Sequence, residues 1–179
     1  MDITNSNIMT QPQQDFLKDE IWLLTFGGAF QRNKVYKEGV SEKQRELYRK
    51  ELRGYFEKEI LPAYDKSVEH DEHCAMIEKI ANDSSKHKSI LSKERLSVGT
   101  AQKLLNLVLK YYWCLGWLPE PPHFPIDSRI QTCLPAKGRM SWTKITSMGE
   151  YQGIIDCARG KLKEGETLAR WELQNFKRG

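Results

Sequence analysis

The sequence predicts an all-α protein, a compact bundle of about seven or eight helices around one central apolar helix, Gly99 to Gly116. Three observations carry this. Apolar residues recur at spacings of three and four along almost the whole chain, the signature of amphipathic helices. No two alternating segments are joined by hairpin turn residues. And the run from Ala101 to Leu115 is apolar around most of a helix circumference, as expected of an element packed on nearly every side.

Met1 to Gln14 is polar and rich in Asn and Gln, and reads as a disordered tail before a single helical domain over 15–179, with two lobes around a cleft near 96–130 as an open arrangement. The first helix carries Phe16, Ile21, Trp22, Leu24 and Phe26, and Gly27-Gly28 is expected to end it. Ser41 with Gln44 forms a capping box for the next, in which Leu47, Leu52, Tyr55, Phe56 and Ile60 recur before Pro62 stops the run. A third helix spans about Tyr64 to Ile80, closed by Asn82 to Ser85. After the central helix, Pro119, Pro121, Pro122 and Pro125 impose an extended connector. Short helices follow at about Asp127 to Leu134, Met148 to Arg159 and Glu166 to Phe176.

Composition excludes little. The chain of 179 residues is 39% hydrophobic and 29% charged, with 28 basic and 24 acidic residues and a net charge of +4. That charge is too mild to announce a nucleic-acid partner; its arrangement matters more. No segment reaches the ~20 apolar residues needed to cross a bilayer, and no secretory signal pattern is visible, so no membrane association and a cytoplasmic location are expected. Cys74, Cys114, Cys133 and Cys157 lack Cys-x-x-Cys spacing and read as buried or half-buried free thiols. His70 and Cys74 stand at i and i+4, a metal-compatible spacing, but nothing nearby in sequence completes a tetrahedral set, so neither metal nor cofactor is expected. His123, between Pro122 and Phe124, reads as a packed loop histidine, with proton carriage as the other use of its chemistry.

Thr100, Lys103, Asn106 and Lys110 interrupt the central helix at offsets of three and four. A lysine on a core helix must reach water along its stem or meet an anion. The stripe is therefore either the helix's exposed edge or the lining of a groove. Ser97 and Gly99 stand where free backbone N–H groups at a helix N-terminus favour an anion such as phosphate. Arg95 and Arg129 add positive charge nearby, and Asp127 begins the next helix, where capping is an aspartate's ordinary role.

Val98-Gly99 leading into Gln102 to Leu109, followed by Pro125 to Ile130, resembles the helix-hairpin-helix DNA glycosylases over residues 96–130. The resemblance implies DNA as partner, a Val-Gly hairpin that grips phosphate, and base excision, with a lyase step in members that carry an early lysine. It implies Lys103 as the amine nucleophile and Asp127 as the catalytic carboxylate. Ser97, Gly99, Thr100, Asn106, Lys110, Arg95 and Arg129 would then contact the nucleic acid. The chain departs from the family in having Ser97 where a glycine is usual and two extra residues between Gly99 and Lys103. It also has a longer interval to Asp127 and lacks the cysteine cluster of some members. The alternative is a non-catalytic helical module that binds nucleic acid or protein.

Overall fold

A computed structural model describes residues 9–177. Seven α-helices are present among them: α1 (Gln11–Phe30), α2 (Glu42–Tyr55), α3 (His70–Asp83), α4 (Val98–Cys114), α5 (Ser128–Gln131), α6 (Met148–Arg159) and α7 (Leu168–Asn175). The described residues hold no strand, only an isolated bridge between Tyr36 and Leu91. None of these helices is long and apolar enough to cross a membrane.

Local chemistry sets the helix starts. Ser41 and Ser147 form capping boxes with Gln44 and Glu150, and Ser97, Asp127 and Thr167 accept backbone N–H groups at the heads of α4, α5 and α7. The polar start of the chain departs from the expected tail. Residues 1–8 lie outside the described residues, but Gln11 to Gln14 are already helical. The Thr10 backbone N–H donates to Gln13 Oε1 at 2.7 Å, and Pro12 lies in the first turn, a start signal hidden inside a Gln-rich segment. Helix α2 runs on through a π-helical turn (Phe56–Ile60) into a tight turn over Leu61–Tyr64, so Tyr64 belongs to that turn and α3 starts at His70.

Helix α4 is the axis. Leu104, Leu105, Val108 and Leu109 are buried in one continuous hydrophobic cluster that includes Trp22 of α1, Ile77 of α3, Ile155 of α6 and Trp171 of α7. Its last turn leaves this cluster: Cys114 and Leu115 are exposed. Helices α1 and α3 make its largest contacts. Gly27 and Gly28 do not end α1, which continues to Phe30. A Cβ on Gly28 would stand 2.8 Å from Leu107 Cδ1, so the missing side chain lets α1 approach α4 closely. The same reasoning applies more severely to Gly99, where a Cβ would stand 2.0 Å from the Trp142 carbonyl oxygen. Two more expectations change here. Leu47 faces water at 56% exposure, and Cys133 is exposed along with Cys114, leaving Cys74 as the one buried thiol among the four.

The packing predicts a graded response to Gly→Ala substitutions in chemical denaturation. Gly54→Ala, with open space around it, should stabilise by about 0.5–1 kcal/mol. Gly99→Ala must push backbone rather than a flexible side chain and should cost about 3 kcal/mol. Equal effects at the two positions would contradict the close seating of α4.

Candidate functional site

Five polar side chains of α4 are drawn into its packing, and each meets a partner from elsewhere in the chain. Asn33 Nδ2 donates to Thr100 Oγ1 at 2.6 Å. The Gln102 amide donates to the Ile126 carbonyl and accepts from the Ile126 N–H, both at 3.1 Å, as in a strand pair. Lys103 Nζ lies 3.1 Å from Asp127 Oδ2. Asn106 Nδ2 donates to Gln102 Oε1 at 3.2 Å and to the Tyr151 hydroxyl at 3.3 Å. Lys110 Nζ contacts both carboxylate oxygens of Glu172, at 2.8 and 2.6 Å.

The Lys103–Asp127 pair forms the floor of a cleft of about 370 Å³ between α1, α4 and α5. The Lys103 side chain is only 5% exposed and that of Asp127 19%. Gln102, bonded to Ile126, pins the residue before Asp127, and Asp127 Oδ1 accepts the N–H groups of Arg129 and Ile130 at 2.9 and 3.0 Å. One carboxylate oxygen thus caps α5 while the other faces the lysine. Trp142 closes one wall, its ring centroid 5.2 Å from Lys103 Nζ. Arg32 and Arg129 stand exposed at the rim, where Arg32 Nη1 donates to Ser128 Oγ at 3.3 Å. The lining therefore carries three cations and one carboxylate.

Burial dominates the electrostatics of Lys103. Loss of water pushes its amine below the ordinary lysine range, and Asp127 restores only part of the shift. The neighbouring pair shows the mirror image: burial raises the Glu172 carboxyl, and Lys110 opposes it. The structure thus brings together Lys103, Asp127 and Arg129.

The remaining predicted contacts lie elsewhere. The Gly99 N–H donates to the Ile145 carbonyl at 3.0 Å, and the Thr100 N–H is taken by Ser97 Oγ at 3.2 Å. The 142–145 segment lies across the head of α4 and takes the Gly99 amide, while the helix's own cap takes that of Thr100, so Ser97, Gly99 and Thr100 offer no phosphate cradle. Asn106 turns inward to Tyr151, Lys110 is engaged with Glu172, and Arg95 donates to Asn82 Oδ1. Arg129 Nη1 also reaches the Lys177 carbonyl at 3.3 Å.

A second polar cluster lies against a different side of α4. Tyr151 connects Asn106 to His123 Nδ1 at 2.7 Å; His123 Nε2 lies 2.8 Å from His70 Nδ1, and Arg159 Nη2 reaches that same Nδ1 at 2.7 Å. His73 is fully buried, with Nδ1 2.8 Å from the Tyr64 hydroxyl. Its Nε2 and Asn106 Oδ1 make no hydrogen bond of good geometry, and a weak interaction between the two side chains opposes burial, which lowers His73 to about 3. The His70/Cys74 spacing was the sequence's one signal for this cluster; His123 arrives on the proline connector.

Comparison with protein-family models, with curated proteins and with solved structures finds no match.

Stability measurements test the ion pair. Asp127→Ala removes both the α5 cap and the partner of a buried ammonium, and should cost about 2–4 kcal/mol. Lys103→Met removes the group whose burial is opposed, and should cost less than about 1 kcal/mol. The pH dependence has a definite sign. Because the folded pKa of Lys103 lies below its unfolded value, the unfolded chain binds more protons between the two. The contribution of Lys103 to stability therefore rises as pH increases through that interval. A Lys103→Met cost exceeding that of Asp127→Ala would contradict this account.

Proposed function

We propose that the chain binds DNA and excises a base from a nucleotide turned out of the helix into the Lys103–Asp127 cleft. The single observation that supports it is the meeting of these two side chains, from separate elements, at 3.1 Å on the floor of a cleft with a cationic rim. A volume of about 370 Å³ lies within the ~300–1,000 Å³ usual for small-molecule sites. The local resemblance to helix-hairpin-helix glycosylases points the same way.

The chemistry follows from the residues. Asp127 takes a proton from the Lys103 ammonium, and the neutral amine attacks the sugar C1′. The bond from C1′ to the base breaks, and the base departs with its electron pair and takes the proton held by Asp127, which returns to its ionised form and stabilises positive charge developing on the sugar. Asp127 then carries a proton from the substituted amine to the ring oxygen, which leaves C1′ as the sugar opens, giving a protonated Schiff base between Lys103 and C1′. The lowered pKa of Lys103 raises the fraction of nucleophilic amine near neutrality. Phosphate contact is assigned to Arg32 and Arg129 at the rim, with the Gly99 amide, bonded to the Ile145 carbonyl, playing no part.

A second reading also has an observation in its favour. Asp127 is fully occupied as an α5 cap and an ion-pair partner, which suits a non-catalytic helical module as well.

Borohydride trapping separates the two on duplexes carrying a damaged base or an abasic site. The enzyme reading expects a covalent protein–DNA adduct that Lys103→Gln abolishes, with Asp127→Asn slowing its formation about 10²–10⁴-fold. Binding should weaken steeply as salt rises. DNA binding with no adduct and no base release leaves a binding module; no binding at low salt removes DNA altogether.

A further inference from the structure

We propose that His70 Nδ1, Cys74 Sγ and His123 Nε2 form a binding site for a zinc-class divalent ion, clamping α3 to the proline connector. The inference stands on its own geometry and does not depend on the reading of the Lys103 cleft. The three donor atoms lie within 4.8 Å of one another, and Cys74 and His123 are buried. Cys74 Sγ lies 4.0 Å from His70 Nδ1, which in turn lies 2.8 Å from His123 Nε2. Zinc–nitrogen and zinc–sulfur bonds of ~2.0–2.1 and ~2.3 Å set tetrahedral edges of about 3.3 Å between nitrogens and about 3.6 Å from nitrogen to sulfur. The two separations at His70 Nδ1 bracket those values to within about half an ångström, and Cys74 and His123 stand within 4.8 Å of each other, so a modest closing of the three side chains completes the set.

Two further features point to a ligand. An imidazole nitrogen has one in-plane lone pair, yet both His123 Nε2 and Arg159 Nη2 crowd His70 Nδ1, at 2.8 and 2.7 Å. A cation between the ring nitrogens satisfies both lone pairs, while the Arg159 side chain, 40% exposed and bonded to Asp156, is free to withdraw toward water. The outer nitrogen of His123 also has the kind of partner that orients a metal-bound histidine: His123 Nδ1 lies 2.7 Å from the Tyr151 hydroxyl. On binding, the Cys74 thiol releases its proton to solvent and both imidazoles ligate as neutral rings. Water takes the fourth position, on the side that Arg159 vacates. His123 stands in the connector just before Asp127, so the ion fixes the approach of that segment to α4.

Cobalt(II) titration of the full chain, followed by absorption, tests the site. The expected result is one bound ion with a thiolate-to-cobalt charge-transfer band and the intense d–d bands of a four-coordinate centre, displaced by one equivalent of zinc. Cys74→Ser should remove the charge-transfer band while helical circular dichroism is retained, and Cys133→Ser and Cys157→Ser should leave it unchanged. His70→Gln and His123→Gln should each weaken binding more than about 10-fold. Arg159→Gln removes the competing guanidinium without touching a ligand, and should tighten binding several-fold. No charge-transfer band, a band that survives Cys74→Ser, binding indifferent to both histidines, or weaker binding in Arg159→Gln would overturn the proposal.

Discussion

A helix buried on nearly every side must satisfy its polar side chains from within the protein. For α4 this requirement shapes the surrounding structure. Leaving one amide or hydroxyl unpaired in such a setting costs roughly 1–3 kcal/mol, and an unpaired charge costs more. Thr100, Gln102, Lys103, Asn106 and Lys110 therefore recruit Asn33, Ile126, Asp127, Tyr151 and Glu172. Each bond pins a different segment: the loop after α1, the proline connector, the head of α5, α6 and α7. The apolar surface of α4 gathers the core, and its polar atoms set the register of what packs there.

The two polar clusters follow from how those bonds are distributed around the helix. One side faces α1 across small residues and ends in a cleft with a desolvated lysine. The other carries Gln102 and Asn106 toward Tyr151 and the histidines. They are joined by the connector, which runs from His123 through Ile126 to Asp127 and so touches both. Its prolines hold it extended, and the Gln102 amide holds it as a neighbouring strand would. Changes at one cluster consequently have a short mechanical route to the other.

Much of this was legible in the sequence. Ser41 with its capping box and Asp127 mark helix starts through local rules, and the apolar run announces α4 as the centre. Lys103 stood out because a charge on a core helix demands a partner, and Asp127 because of the resemblance over residues 96–130. What failed was angular resolution. At 3.6 residues per turn Asn106 lies about 60° around the helix from Lys103, enough to place it in a different interface, while Gln102 and Asn106 lie only about 40° apart and share one. Gly27 and Gly28 illustrate a second limit. A glycine pair ends a helix or admits a neighbour, and only the arrival of Leu107 decides between them. The phosphate cradle expected at Gly99 failed for the same kind of reason, since nothing local reveals that Ile145 covers it. His123 joins His70 and Cys74 only through the path of the connector.

The central claim is that burial, more than pairing, governs Lys103, so that the fold holds an amine with a depressed proton affinity against Asp127. Site-resolved NMR titration of isotopically labelled lysine side chains measures this directly, with Lys103→Gln supplying the assignment. The account predicts that the Lys103 signal titrates below those of the exposed lysines and moves further down in Asp127→Asn, where the compensating charge is gone. A Lys103 signal that titrates with the exposed lysines or above them would contradict it, because pairing would then outweigh burial and the side chain would be a permanent cation.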